Sequence, residues 1–276
     1  MRAWIIAAVT FREAARKKIL WMALFAGVAF LLLFGTGLHF QVTAFEEQHL
    51  TAFIRKQTFS GILMVGMYAI DLLVVVMTVL TSVDTLSGEI ASGTIQAVAA
   101  KPVRRWELLC GKWLGLAGML TLYILIMVVG LNELTRLMTG VTARHIVQGF
   151  GLIWLESMLL LSLALFFGTS FSTLTNGVLV LGLHGLAFLG GWIEQAGALT
   201  KTPKVVDIGI IASIVMPSEA LWRRAVFEMQ APLTTALSFS PFSGISVPSP
   251  VMICYAALYT GVFLALAVWR LNQRDL

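Results

Sequence analysis

Charged side chains are scarce in this 276-residue sequence, in which Asp, Glu, Lys and Arg make up 12% and hydrophobic residues 58%. A water-soluble domain carries about 25% charged residues, so this chain has too few to cover the surface of a globule. Its mean hydropathy is +0.89. Lipid must therefore surround most of the protein, and a chain in lipid must satisfy its backbone hydrogen bonds internally.

Cysteines and catalytic motifs are scarce as well. Cys110 and Cys254 are the two cysteines, and neither has the spacing of a zinc site or a disulfide framework. The pair Gly111-Lys112 is not part of a GxxxxGK[ST] phosphate-binding loop, because Trp106 stands where that loop needs glycine. HExxH and GxSxG are also missing. We therefore predict a protein that is not an enzyme, has no metal or cofactor of its own, and has no nucleic-acid partner.

Long apolar runs are what the sequence has in abundance. A helix needs about 20 mainly apolar residues to cross a bilayer. Six stretches qualify, namely residues 19–38, 61–83, 111–131, 147–168, 177–192 and 251–270. We predict an all-α polytopic membrane protein with six transmembrane helices, which form a single transmembrane domain over residues 1–276.

Lys and Arg residues near the ends of the spans predict the orientation of the chain. The side that holds both termini has five basic residues before the first span, four between the second and third spans, and two in the tail. The opposite side has eight, and four of them lie in one long loop, where the rule has little weight. We predict a multi-pass protein of the cytoplasmic (inner) membrane with both termini in the cytoplasm.

Two regions are predicted to be helical without crossing the membrane. Residues 1–18 form an amphipathic helix for the membrane surface, or else a cytoplasmic extension of the first span. Its apolar face comprises Trp4, Ala7, Ala8, Phe11, Ala14 and Ala15. The extracytoplasmic loop over residues 195–250 should contain short helices: residues 205–216 are apolar but too few to cross. We expect residues 205–216 to form a helix that enters the membrane part of the way and ends at Pro217. A second helix should follow, with Ser218 as its N-cap.

The stretch between the second and third spans, residues 84–110, is the most informative. We predict a cytoplasmic loop with a short helix over residues 84–99, which ends before Pro102. Basic residues, including Arg104 and Arg105, then lead into the third span. Composition alone would equally fit a solvated loop that is anchored by its positive charge.

Residues 88–115, GEIASGTIQAVAAKPVRRWELLCGKWLG, resemble the signature of the permeases of export-type (type-2) ATP-binding-cassette, or ABC, transporters. The matching positions are Glu89, Gly93, Thr94, Pro102, Arg105, Glu107, Gly111 and Lys112. The resemblance implies that two permeases, identical or paralogous, pair around a pathway in the lipid bilayer. It also implies separate cytoplasmic ABC ATPase subunits, which hold the ATP and Mg²⁺.

The same resemblance implies a role for the helix over residues 84–99. It would be the coupling helix that docks on the ATPase, and a rigid helix of this kind can transmit a domain movement to the membrane. The residues that the resemblance assigns to coupling are Glu89, Gly93, Thr94, Pro102 and Arg105.

Three ionisable residues, Asp71, Glu156 and His184, lie well inside predicted spans. At a rise of 1.5 Å per residue, all three fall roughly 10–15 Å deep, near one level. A carboxylate at mid-membrane costs about 3 kcal/mol, so an idle one is unexpected. Tyr68 and Thr78 extend the polar stripe of Asp71. We predict that these five residues line the pathway; the alternative is that they are structural polar contacts within the bundle.

The sequence therefore predicts the permease subunit of an ABC exporter, and it leaves two other hypotheses open. One is a self-contained ion- or proton-coupled carrier that uses Asp71 and Glu156 and needs no ATPase. The other is a membrane-embedded enzyme or an assembly or scaffold protein, and the absence of any nucleophile–base arrangement in the sequence argues against it.

Overall fold

The computed structural model describes residues 2–47, 51–93, 104–230 and 246–273. In these residues the chain forms nine helices and no strand. They are α1 (Arg2–Arg16), α2 (Lys18–Glu47), α3 (Ala52–Ala91), α4 (Arg105–Thr139), α5 (Ile146–Gly168), α6 (Thr173–Leu199), α7 (Pro203–Val215), α8 (Ser218–Met229) and α9 (Val251–Gln273). Six of them, α2 to α6 and α9, are long and apolar enough to cross a membrane. The prediction of an all-α polytopic membrane protein is confirmed.

The helices extend further than the apolar runs that predicted them. α3 has 40 residues and α4 has 35, whereas about 20 suffice to cross a bilayer. Glycines in the left-handed conformation mark two of the ends: Gly140, with φ 72°, follows α4, and Gly93, with φ 71°, lies two residues after α3. Hydropathy identifies the part of a helix that lies in lipid. The backbone hydrogen bonds of the helix continue beyond the lipid until a residue such as a glycine with positive φ ends it.

The predicted short helix over residues 84–99 needs correction in its described part. Residues 84–91 are the last turns of α3, without a break from the membrane span. Residues 94–103 lie outside the described residues, and so do Thr94 and Pro102. The start of the predicted element is wrong because no glycine or proline interrupts the helix before residue 88.

α3, α4 and α5 form the centre of the bundle, while α2, α6 and α9 are far more exposed. Most of α5 is apolar and buried, which explains its central position, because a helix that is apolar on all sides packs inside. We refer below to the two ends of the bundle. The α1 end holds α1, the end of α3 and the start of α4, and the α7 end holds the α6–α7 connection.

α1 packs against the first turns of α4 through small residues. Ala7, Thr10 and Ala14 of α1 are buried there. A Cβ atom on Gly115 would lie 2.6 Å from the carbonyl oxygen of Ala7, so only glycine allows this approach. Of the predicted apolar face, Ala7 and Ala14 are buried against the bundle, whereas Trp4 is 74% exposed. Its indole faces away from the bundle, where lipid can cover it.

α7 and α8 meet at an angle of 106° and form a re-entrant pair. The start of α8 is deep, because the Ser218 hydroxyl lies 3.0 Å from Nδ1 of His184, near the middle of α6. The end of α8 has returned to the α7 end of the bundle, where Met229 packs on Gly149 at the start of α5. The predicted short helices are confirmed, but Ser218 is not a cap. It is the first helical residue after Pro217, and its hydroxyl binds His184 instead.

Candidate functional site

Three carboxyl side chains from three helices meet halfway along the bundle. They are Asp71 of α3, Glu156 of α5 and Glu219 of α8, and they are 6%, 1% and 5% exposed. The three side chains are close enough for their charges to interact. We call these three residues the acidic cluster. A carboxylate in the interior of a membrane bundle is costly, so three together need an explanation.

Polar side chains of α3, α6 and α8 surround the acidic cluster. The same nitrogen of His184 that lies 3.0 Å from the Ser218 hydroxyl, Nδ1, lies 3.8 Å from Oε1 of Glu156. The ring of Tyr68 lies near Asp71 and Glu219 and packs edge-on against Trp222, with the ring centroids 5.5 Å apart. Hydrogen-bonding groups and an aromatic pair therefore lie beside the cluster.

α6 is shaped to admit the side chain of Glu219. A Cβ atom on Gly191 would lie 2.6 Å from Cγ of Glu219 and would close the space that this side chain occupies. Glu219 can therefore reach the bundle interior only because position 191 has no side chain. The re-entrant pair and α6 together place the third carboxyl.

Two carboxyls of the acidic cluster have oxygen atoms without a hydrogen-bond donor in the described part of the chain. Both side-chain oxygens of Glu156 and Oδ1 of Asp71 have no donor among the described residues. None of the ion pairs in the described part of the chain joins a Lys or Arg to this cluster. Arg223, one turn after Glu219, is held by Glu194: its Nη2 lies 2.8 Å from Oε2 of that residue.

A second group of polar contacts joins the helices at the α1 end. Lys112 forms an ion pair with Glu89, in which the side chains are 6% and 23% exposed, and this links the start of α4 to the end of α3. Nζ of Lys17 lies 3.4 Å from Oδ2 of Asp84. The hydroxyl of Thr173, on α6, donates to Oδ1 of the same aspartate at 3.4 Å. We call these residues, with Arg105, the α1-end junction.

Arg105 extends the α1-end junction to the last helix. Its Nη1 donates to the carbonyl oxygens of Leu271 and Asn272, at 2.9 and 3.1 Å, and so satisfies groups that a helix end leaves free. Glu107 accepts a hydrogen bond from the backbone N–H of Arg104 at 3.1 Å and so satisfies a donor at the start of α4. The junction therefore holds α1, α3, α4, α6 and α9 in one arrangement.

Sequence reasoning placed Asp71, Glu156 and His184 at one depth, and the structure brings them together with Tyr68. Thr78 does not join them: it is buried two turns further toward the α1 end, where its hydroxyl donates to the carbonyl oxygen of Val74 at 2.8 Å. That these residues line a pathway remains a prediction.

Glu219 was missed because it was assigned to an extracytoplasmic loop. The available signal was a carboxylate directly after the apolar run over residues 205–216 and Pro217, which is where a dipping segment is deepest.

The residues predicted to couple to an ATPase lie at the α1-end junction where they are described. Glu89 and Arg105 make the contacts given above, and Gly93 has a positive φ after the end of α3. Thr94 and Pro102 lie outside the described residues. Glu89 and Arg105 thus stabilise contacts between helices of this chain. The coupling role of all five residues stays a prediction.

Six membrane-spanning helices around a buried polar cluster define a polytopic protein of the transporter class. The sequence model of the ABC-2 family transporter proteins matches residues 4–276, and the chain belongs to this family of transport permeases. The resemblance of the segment over residues 88–115 is thereby confirmed at the level of the family. No curated protein sequence matches the chain.

Proposed function

We propose that the chain is the membrane-spanning permease subunit of an ABC exporter, which pairs with a second copy or a paralogue and is driven by separate cytoplasmic ATPase subunits. The observation that carries this proposal is the family match over residues 4–276. In this proposal the ATPase subunits bind ATP and Mg²⁺ and hydrolyse the ATP, while this chain forms the pathway and is not an enzyme.

The proposed orientation places the α1 end in the cytoplasm of the cell, with the protein in the cytoplasmic (inner) membrane. The basic residues near this end support it. An ATPase docked on the connection between α3 and α4 would act on helices that the α1-end junction already ties together. The Glu89–Lys112 ion pair and the Arg105 contacts would then pass a movement of the ATPase to α3, α4 and α9 as one unit.

The acidic cluster supports a place for the pathway within the bundle. Polar and ionisable residues inside membrane proteins are concentrated where substrates or ions pass. In this proposal Asp71, Glu156, His184 and Tyr68 line the pathway at mid-membrane, and Thr78 lies on the same helix nearer the cytoplasm. Movement of α3 relative to α5 and α8 would open or close the space between the three carboxyls.

Cross-linking to the ATPase tests the proposal. In a C110S/C254S background, Ser92→Cys places a single thiol at the exposed end of α3, and Lys204→Cys places one at the start of α7 as the matched control. We expect the Ser92→Cys variant to cross-link to the co-expressed ATPase. The Lys204→Cys variant should form no cross-link to it. In intact cells a membrane-impermeant maleimide should label Lys204→Cys alone. Labelling of Ser92→Cys from outside would refute both the orientation and the docking.

Two further measurements address the assembly. Purified alone, the chain should not hydrolyse ATP, and the complex in mild detergent should contain two permease subunits. A complex with a single permease subunit would contradict the proposed pairing.

The acidic cluster also favours a second candidate, a carrier driven by an ion or proton gradient. Unneutralised carboxyls in the bundle interior are what such a carrier needs. The two candidates separate in proteoliposomes that contain this chain without an ATPase. Transport under a gradient alone would favour the carrier, and transport that requires the ATPase and ATP would favour the exporter.

A further inference from the structure

The bend between α7 and α8 interrupts the backbone hydrogen bonds of the helix. The last carbonyl groups of a helix have no N–H group one turn further along, and Pro217, two residues after α7, has no N–H to offer. The bend lies beside His184, near the middle of α6, where lipid supplies no hydrogen-bond donor. The carbonyl oxygens of Ile214 and Val215 therefore need donors from the protein.

Two tyrosines of α9 supply these donors. The hydroxyl of Tyr255 donates to the carbonyl oxygen of Ile214 at 2.6 Å. The hydroxyl of Tyr259, one turn further along α9, donates to the carbonyl oxygen of Val215 at 3.0 Å. α9 therefore binds the last two residues of α7 at the point where the chain turns.

Aromatic packing restricts the two tyrosine rings. The ring centroids of Tyr255 and Tyr259 are 6.0 Å apart, and those of Tyr259 and Phe263 are 4.5 Å apart. Phe263 in turn packs edge-on against Phe166 of α5, with the ring centroids 5.3 Å apart. The tyrosines thus belong to a row of rings that ends on a central helix of the bundle, and this limits the positions that their hydroxyls can take.

The position of the bend decides where the third carboxyl of the acidic cluster lies. Glu219 follows Val215 by four residues, so the last turn of α7 and this carboxyl cannot move independently. On the α8 side of the bend, Ser218 contacts His184, and Glu219 occupies the space that Gly191 leaves open. A displacement of the last residues of α7 would therefore move Glu219 relative to the other two carboxyls.

The opposite end of α9 is bound at the α1-end junction. There Arg105 donates to the carbonyl oxygens of Leu271 and Asn272. α9 is one unbroken helix, and the segment from Tyr259 to Leu271 is about 18 Å long at a rise of 1.5 Å per residue. A rigid helix that is bound at two levels carries a displacement from one level to the other.

We infer that α9 links the α1-end junction to the acidic cluster, with Tyr255 and Tyr259 as the residues that position the α7–α8 bend and thereby Glu219. The role of this link in transport rests on the proposed function, because an ATPase at the α1 end would drive it. The attachment of the bend by the two hydroxyls is a property of this chain alone. The attachment and the link are therefore tested separately.

Hydrogen–deuterium exchange of the purified full-length chain in lipid nanodiscs tests the attachment. Phenylalanine keeps the row of rings and removes only the hydroxyls, so Tyr255→Phe/Tyr259→Phe should fold. We expect its backbone amides over residues 216–229 to exchange about tenfold faster than those of the wild type, because each lost hydrogen bond shifts the local opening equilibrium about threefold. Each single variant should show about a threefold increase, so the single variants decide the question if the double variant does not fold.

Tyr123→Phe is the matched control. The hydroxyl of Tyr123 also donates to a carbonyl oxygen of another helix, that of Ala23 at 3.4 Å, but this contact joins α4 to α2 and does not involve the bend. Exchange over residues 216–229 should stay at the wild-type rate in this variant. Wild-type exchange in Tyr255→Phe/Tyr259→Phe would overturn the inference, and so would an equal increase in Tyr123→Phe.

The same measurement on the complex with the ATPase tests the link. In the wild-type complex, ATP with orthovanadate should change the exchange over residues 216–229 relative to the nucleotide-free state. The complex of Tyr255→Phe/Tyr259→Phe should still hydrolyse ATP but lose this response. A response equal to that of the wild type would overturn the link, as would a wild-type complex that hydrolyses ATP without any change in these residues. Failure to bind an ATPase would contradict the proposed function instead, and the comparison of the chain alone would still decide on the attachment.

Discussion

The α1-end junction and the acidic cluster treat carboxylates in opposite ways. At the junction, Glu89 forms an ion pair with Lys112. Asp84 forms an ion pair with Lys17 and accepts a hydrogen bond from Thr173. In the cluster, no Lys or Arg of the described residues forms an ion pair with Asp71, Glu156 or Glu219. A paired charge fixes one arrangement of the helices. A carboxylate without such a partner makes the helix arrangement depend on what neutralises its charge, so we expect the cluster to be the part of the bundle that responds to a ligand.

This difference bears on how the family signature is interpreted. Several of its residues hold the chain together: Glu89 and Lys112 pair with each other, Arg105 binds the end of α9, and Gly111 leaves room for α1. Loss of activity on substitution at such a position would therefore not by itself prove a contact with the ATPase. The exposed end of α3 at Ser92 is a better place to look for that contact.

The largest loss of stability is expected from the most deeply buried ion pair. Arg223 and Glu194 side chains are 3% and 6% exposed, and they join the re-entrant pair to α6. Arg223→Met should lower the stability by about 3–5 kcal/mol, because it leaves a buried carboxylate without its cation. Thermal unfolding in detergent measures the loss. Addition of Glu194→Gln should restore much of it, and a single variant as stable as the wild type would contradict the buried pair.

A smaller loss is expected at the α1-end junction. Lys112→Met removes the partner of Glu89, but this carboxylate is 23% exposed and water solvates part of its charge. We expect a loss of about 1–3 kcal/mol, below that of a fully buried pair. The same thermal measurement applies, with the double variant Glu89→Gln/Lys112→Met as the control. If the double variant were less stable than Lys112→Met, the ion pair would not be the cause.

The sequence predicted the parts of this architecture that depend on a single helix. Six spans follow from apolar length, and the common depth of Asp71, Glu156 and His184 follows from the helical rise. The contribution of Glu219 could not be predicted in this way. Whether a short apolar helix dips into the bundle depends on the close packing of α7 on α6, where a Cβ atom on Gly209 would lie 2.3 Å from Cβ of Glu194. The hydropathy of the sequence gives no information on such a contact between two helices.

The helix boundary after the second span was wrong for a related reason. The change from apolar to polar residues near Asp84 predicted a new element, but α3 continues through Asp84, whose carboxylate contacts Lys17 and Thr173. Polar residues in sequence mark the end of a span in lipid, and tertiary contacts decide whether the helix ends there too.

Asp71→Asn separates transport from packing within the acidic cluster. If Asp71 lines the pathway, transport with the native ATPase and substrate should fall about tenfold or more, which corresponds to about 1.4 kcal/mol. Stability should change little, because hydrogen bonds within membrane proteins average about 0.6 kcal/mol and Asn removes a buried acid. Transport rate and thermal unfolding are measured on the same preparation. Wild-type transport would remove Asp71 from the pathway, and a large loss of stability would make it a structural residue.

Thr78→Val supplies the smallest expected effect and the control for Asp71. Thr78 is on α3, two turns from Asp71, and is buried, but its hydroxyl donates to the carbonyl oxygen of Val74 in its own helix. Valine keeps the branched shape and leaves the backbone hydrogen bond of that carbonyl in place, so stability should change by less than about 0.6 kcal/mol. If the pathway is confined to the acidic cluster, Thr78→Val should transport at the wild-type rate. A loss comparable to that of Asp71→Asn would instead extend the pathway along α3 toward the α1 end. In that case the unpaired region and the paired region of this bundle would be two ends of one continuous polar stripe.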